Sequence, residues 1–181
     1  SVIDLGSTFR SFQDNRGKIG SVYDSYKKDN LLYLGTNQGL YVKEDGSEEF
    51  QLITGTNGQV WFLNEIDGNL FCGHNSGTFL IEGATADKIS ERLGTWIVKK
   101  YKEDLYIQGH YNGISFLRKE DSGFEDLPML NNFPHSSKSI VVDNDLSIWI
   151  GNEHKGVFNL QLNDSLSAAS NTINYKFEEE S

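Results

Sequence analysis

The stretch Leu31-Leu-Tyr-Leu-Gly-Thr-Asn-Gln-Gly-Leu-Tyr-Val42 carries the organising pattern of the chain: a short apolar run, a glycine, a few polar residues, a second glycine and another apolar run. The same pattern returns at Leu70-Phe-Cys-Gly73 to Gly77-Thr-Phe-Leu80, at Leu105-Tyr-Ile-Gln-Gly109 to Gly113-Ile-Ser-Phe116, and at Ile148-Trp-Ile-Gly151 to Gly156-Val-Phe-Asn159. The first glycines stand 38, 36 and 42 residues apart, and the two glycines within a copy are separated by four, four, four and five. Self-similarity at a nearly fixed period marks a repeat architecture in which each copy is one supersecondary unit.

Working outward, another apolar segment precedes each copy, at Val22-Tyr23, Val60 to Leu63, Trp96 to Val98 and Ile140 to Val142. A weaker one follows, at Phe50 to Ile53, Ile89 to Arg92, Phe124 to Leu127 and Ile173 to Phe177. Between them lie reversal signals such as Lys28-Asp-Asn30, Asp67-Gly-Asn69, Glu103-Asp104 and Asp143-Asn-Asp145, residue types that form tight turns by local hydrogen bonding or positive φ. Each unit therefore reads as four antiparallel strands, A to D.

Four short strands every forty or so residues predict an all-β chain of β-propeller blades. The continuous apolar B strands agree, because a blade is buried on both faces by its neighbours. A β-sandwich also uses short, evenly spaced strands but offers no reason for a fourfold repeat, and neither does a jelly roll or a lipocalin barrel. The expected divisions are residues 1–18 as the outer strand of a preceding blade, then blades at 19–53, 54–92, 93–128 and 129–178. Because the fourth unit owns its outer strand, the expectation is an open arc or a fragment of a larger propeller. Its free faces would be apolar patches able to self-associate.

The 181 residues carry a net charge of -10. That balance argues against a nucleic-acid partner, since phosphate binding needs a basic surface that releases counterions. No apolar run approaches the ~20 residues of a membrane span, so no membrane contact is expected of this segment. Cys72 is the only cysteine. It sits in an apolar run without an adjacent base to lower its pKa, so a buried, inert thiol is expected.

In a blade, the B–C turns and the blade-to-blade connections share one face. That face collects Thr36, Asn37 and Gln38, then His74, Asn75 and Ser76, then His110, Tyr111 and Asn112, then Asn152, Glu153, His154 and Lys155. Neutral donors and acceptors beside aromatic rings suit a sugar or another polar small molecule. The candidate ligand-binding residues are therefore Asn37, Gln38, His74, Asn75, His110, Tyr111, Asn112, Glu153 and His154. The competing reading is that these side chains cap their own turns.

No metal or other cofactor is expected. His74, His110 and His154 lie in separate blades, too far apart to converge on one ion, and Asp143-Asn-Asp145 lacks the further oxygens and glycine of a calcium loop. Trp61, Trp96 and Trp149 fall within strands and are expected in the core, a judgement that a half-exposed tryptophan on the turn face would reverse. A catalytic propeller, of glycosidase or lyase type, would need paired acids. Glu65, Glu103, Asp104 and Glu153 show no such recurrence, so the chain reads as a non-enzyme, with purely structural or interaction blades as a further alternative.

The run Leu32 to Tyr41, with Gly-Thr-Asn-Gln-Gly-Leu at its centre, resembles the two-component regulator propeller repeat. Val141-Val-Asp-Asn-Asp-Leu-Ser-Ile-Trp-Ile-Gly151 resembles that repeat's other half, an acidic turn leading into Trp-Ile-Gly. The resemblance covers roughly residues 19 to 178. The second and third copies depart from it with Gly-His where Gly-Thr is usual, and the fourth has Gly-Asn and an extra residue; both glycines remain, allowing positive φ in the turn. The resemblance implies the periplasmic sensory part of a bacterial membrane-bound regulator, often for carbohydrate breakdown products. It also implies partners in the remaining blades and downstream domains of a longer chain.

Overall fold

The computed structural model describes residues 18–176, which form sixteen strands and no helix. The expected outer strand at 1–18 lies outside the described residues apart from Lys18. The strands make four separate antiparallel sheets, each of four strands in simple meander order. The first holds β1 (Val22–Lys28), β2 (Leu31–Thr36), β3 (Leu40–Glu44) and β4 (Gln51–Leu52). The second holds β5 (Val60–Ile66), β6 (Asn69–His74), β7 (Gly77–Glu82) and β8 (Thr85–Ser90). The third runs through β9 (Ile97–Lys102), β10 (Leu105–His110), β11 (Gly113–Glu120) and β12 (Gly123–Asp126), and the fourth through β13 (Ser139–Val142), β14 (Ile148–Asn152), β15 (Gly156–Leu162) and β16 (Ala169–Tyr175).

The first strands of the sheets neighbour one another in sequence order, β1 on β5, β5 on β9 and β9 on β13, so the A strands are innermost. Substantial contacts between sheets join consecutive sheets. The four blades make an arc that is not closed.

The core lies in the seams between blades. Along β6, Leu70 and Cys72 pack with Tyr33, Leu40 and Val60 of the first seam, whereas Phe71 between them packs with Val98, Tyr106 and Leu117 of the second. Along β10, Tyr106 turns to the second seam, while Leu105 and Ile107 join Ile148, Ile150, Phe158 and Leu160 in the third. Alternate residues of one strand thus serve opposite seams, and this is why the B strands read as unbroken apolar runs. Each such side chain contributes roughly 1.5–3 kcal/mol on full burial. Cys72 is buried in the first seam, and that burial pushes its thiol pKa up.

The two glycines of the repeat have different jobs, which corrects the expectation that both allow positive φ. Only the second of each pair, Gly39, Gly77, Gly113 and Gly156, has a positive φ, at 152°, 149°, 147° and 82°. The first is glycine because the next blade presses on it. A Cβ on Gly35 would lie 2.6 Å from Val60 Cγ1, on Gly73 2.5 Å from the Thr95 carbonyl oxygen, and on Gly109 1.9 Å from the Ser137 carbonyl oxygen. In the last blade, among the described residues, a Cβ on Gly151 would meet only Ser139 of its own blade, at 3.3 Å. The open side of this blade is apolar, with Val141 63%, Ile173 42% and Tyr175 50% exposed.

Candidate functional site

The B–C turns gather on one face, and their polar residues separate into three groups. His74 and His110 are fully buried. His74 Nδ1 lies 2.8 Å from Ser76 Oγ and its Nε2 lies 3.3 Å from the Thr56 carbonyl oxygen. His110 sits between Thr95 Oγ1 at 3.2 Å and Ser115 Oγ at 2.7 Å, inside a polar cluster that continues through Gln108, Thr78 and Asp126. Burial holds both imidazoles below their usual range, that of His110 down to about 3 with help from the Arg92 charge. These two candidates are internal pegs of their turns and seams, enclosed by protein instead of facing a ligand.

Asn37 and Asn75 are half-buried locks. The Asn37 side-chain oxygen accepts the Ser21 N–H at 2.8 Å while its own N–H donates to the Ser21 carbonyl at 3.0 Å. Asn75 repeats this with Gln59, at 3.1 and 2.9 Å. Gln38, Tyr111, Asn112, Glu153 and His154 remain exposed on the face. Where the first two blades have Asn37 and Asn75, the third has Tyr111, whose ring lies over Gly94.

That tyrosine ends a row of rings. Tyr23 stacks on Trp61 at 5.3 Å between centroids, whereas Trp61 meets Trp96 at 4.8 Å and Trp96 meets Tyr111 at 5.0 Å with their planes tilted by 42° and 60°, while Trp61 Nε1 donates to the Tyr111 hydroxyl at 2.9 Å. Tyr23 and Tyr111 are 48% and 39% exposed, and the two tryptophans are half-buried. The expectation that Trp61 and Trp96 are core residues is thereby overturned; Trp149, also half-buried, stacks on Tyr175. The cause is local. The β1–β2 ladder shifts register between Val22 and Asp24, and the β5–β6 ladder between Val60 and Phe62, leaving Tyr23 and Trp61 as bulge residues. Such a bulge re-aims one side chain out of the alternation.

The row of rings ends beside the fourth blade, where Lys138 Nζ stands 5.1 Å from the Trp96 ring centre and Trp96 Nε1 lies 3.2 Å from Ser136 Oγ. Beyond it opens a cleft of about 1060 Å³ lined by Lys138, Asn152, Glu153, His154, Lys155 and Phe158 among others. His135 stacks on Phe158 at 4.9 Å, with its Nδ1 3.3 Å from Lys155 Nζ. Burial and the Lys155 charge hold His135 below the usual imidazole range. The hydrogen bond from Lys138 and its charge hold the Glu153 carboxyl below the usual carboxylate range.

No group of three or more metal-ligating side chains occurs among the described residues. Asp143 to Asp145 form a hairpin turn, with the Asp145 carboxylate accepting the Ser147 N–H at 2.9 Å. Glu65 and Glu153 are each ion-paired to a lysine, Lys28 and Lys138, in different blades. Among the described residues no helix is long and apolar enough to cross a membrane.

No family model matches the chain, and neither does any curated protein. Solved structures do. The extracellular domain of BT3049 from B. thetaiotaomicron, described as a hybrid two component system, superposes with TM-score 0.63 at 19% identity over 86% of this chain and 24% of its own. The extracellular domain of BT4673 from the same organism, described as a one component system, gives TM-score 0.63 at 17% identity over 88% of this chain and 22% of its own. The WD40 β-propeller domain of Doa1 gives 0.59 at 12% identity, over 85% of this chain and 53% of its own. The fold is a β-propeller. The propeller arc spans about a quarter of the two extracellular domains and about half of the WD40 ring.

The row of rings was missed in the sequence because the strand pattern treats Tyr23, Trp61 and Trp96 as ordinary A-strand residues. One spacing marks the turn residues that fold back on the A strands, Tyr111 among them, but not the other three rings. Gly20, Gly58 and Gly94 each lie fifteen residues before the first turn glycine. A Cβ there would strike the Asn37 oxygen at 2.2 Å, the Asn75 oxygen at 2.6 Å and the Tyr111 ring at 2.2 Å.

Proposed function

We propose that this propeller arc is a ligand-binding segment of an extracytoplasmic sensor of the two-component type, and that it takes an oligosaccharide across the row of rings on its turn face. The observation that carries the reading is the partly exposed aromatic series Tyr23, Trp61, Trp96 and Tyr111, which crosses three blades. Rings with an apolar body and a polar edge accept the C–H faces of sugars while their N–H and O–H groups meet hydroxyls. Gln38 and Asn112, exposed in the flanking turns, supply further donors and acceptors. The extracellular domains that share the fold support the sensory setting.

The segment itself binds and does not turn over its ligand in this reading. The test is titration calorimetry of the chain against a panel of neutral oligosaccharides, with tryptophan fluorescence followed in parallel. A binder that quenches fluorescence and is lost in Trp61→Ala is the expected result. Binding that survives removal of both Trp61 and Tyr111 side chains would place the site elsewhere.

A further inference from the structure

The fourth blade departs from the repeat at three positions, and all three departures introduce charge. Where the first three blades carry Val22, Val60 and Trp96, thirteen residues before the first turn glycine, the fourth carries Lys138. Where they carry Asn37, Asn75 and Tyr111, it carries Glu153. Its turn is one residue longer, and the additional length presents Lys155.

These residues line one cleft. Asn152 holds the longer turn in shape, its side-chain oxygen accepting the His154 and Lys155 N–H groups at 3.1 and 3.0 Å and its amide donating to the Ser136 carbonyl at 3.0 Å. That places Lys155 Nζ against His135, whose ring is fixed flat on Phe158. Lys138 and Lys176 complete the cationic lining, and among the described residues Glu153, 3.0 Å from Lys138, is the one carboxylate in it. Among the described residues, three lysines against one carboxylate make the lining of this cleft cationic on a chain of net charge -10. A concave site of one sign focuses the field on an oppositely charged ligand group.

The cleft adjoins the aromatic row at one side chain, because Lys138 both lines it and stands 5.1 Å from the Trp96 ring centre. We infer that the fourth-blade cleft is an anion subsite, holding a carboxylate or sulfate group on a sugar whose neighbouring rings lie along Trp96 and Trp61. This rests on the oligosaccharide reading above and narrows it to acidic oligosaccharides. Lys155 and Lys138 supply the charge, His135 and Asn152 orient the cleft, and Glu153 exchanges its ion pair with Lys138 for solvent when the ligand anion arrives.

The test compares three probes by calorimetry at low and high salt: a tetra-galacturonate, its methyl-esterified neutral form, and a sulfated galacto-oligosaccharide. The expected result is at least tenfold tighter binding of one or both acidic probes than of the neutral form. The margin should shrink at 0.5 M salt through screening and be lost in the exposed Lys155→Gln and Lys138→Gln variants, which keep wild-type circular dichroism. Preference for the uronate over the sulfated probe, or the reverse, assigns the anion. Equal binding of acidic and neutral probes overturns the anion subsite and leaves the aromatic-row reading standing. Acidic binding untouched by both lysine substitutions also overturns it, and failure of all three probes overturns both readings.

Discussion

Trp61 Nε1 donates a hydrogen bond to the Tyr111 hydroxyl at 2.9 Å, joining the start of an inner strand in the second blade to a turn in the third. The bond sits in a row of ring contacts that also includes Tyr23 and Trp96. Tyr111→Phe keeps the ring and loses the acceptor, so urea denaturation should show a loss of no more than about 1 kcal/mol. Trp61→Ala removes two ring contacts and should lower oligosaccharide affinity tenfold or more, about 1.4 kcal/mol. An unchanged dissociation constant in Trp61→Ala would contradict the role given to the row.

The seam glycines make a contrasting pair. In Gly109→Ala the added methyl would overlap the Ser137 carbonyl, and overpacking of that kind costs about 1–3 kcal/mol. A chain of this size should then lose several degrees in Tm. Among the described residues Gly151→Ala meets only Ser139, its Cβ at 3.3 Å, so its melting curve should nearly overlay the wild type. Equal destabilisation of the two variants would mean that the repeat glycines are kept for a reason internal to each blade.

The buried histidines predict an acid-sensitive stability. His110, and in the same direction His74, has a folded pKa below its unfolded value of about 6.5. The unfolded chain therefore binds the extra proton. The contribution is fully present above pH ~6.5 and is lost as pH falls, by up to about 1.4 kcal/mol per pH unit for each histidine. For His110 the loss continues down to about 3. Unfolding free energies measured between pH 7.5 and 5, above the main carboxylate range, should slope downward, and His110→Gln should flatten the slope whatever it does to the absolute value.

Asn37 and Asn75 are expected to act on stability. Asn75→Ala removes the acceptor for the Gln59 N–H, and Asn37→Ala that for the Ser21 N–H; each should cost about 1 kcal/mol. Gln38→Ala, on an exposed side chain, should leave stability within about 0.5 kcal/mol. Chemical denaturation of the three variants side by side separates lock from surface.

The repeat itself was legible in the chain. Four copies of a Gly-bracketed turn between apolar runs determined the number of sheets, their antiparallel order and the double-sided burial of the B strands, because each of these follows from local turn chemistry and side-chain period. The shared face of the turns followed from topology, so Gln38, Asn112, Glu153 and His154 stand where the repeat placed them. What only the tertiary structure decided depends on the neighbouring blade. Gly35, Gly73 and Gly109 owe their identity to atoms some 25 residues away in sequence, and among the described residues Gly151 has no such neighbour. Likewise, His74 and His110, which the repeat pattern assigns to the turns, end the B strands and are closed over by packing. Tyr23 and Trp61 left the core because a one-residue bulge breaks the alternation that a sequence pattern assumes. Period and turn type are written in consecutive residues, whereas burial and register are settled by which surfaces meet.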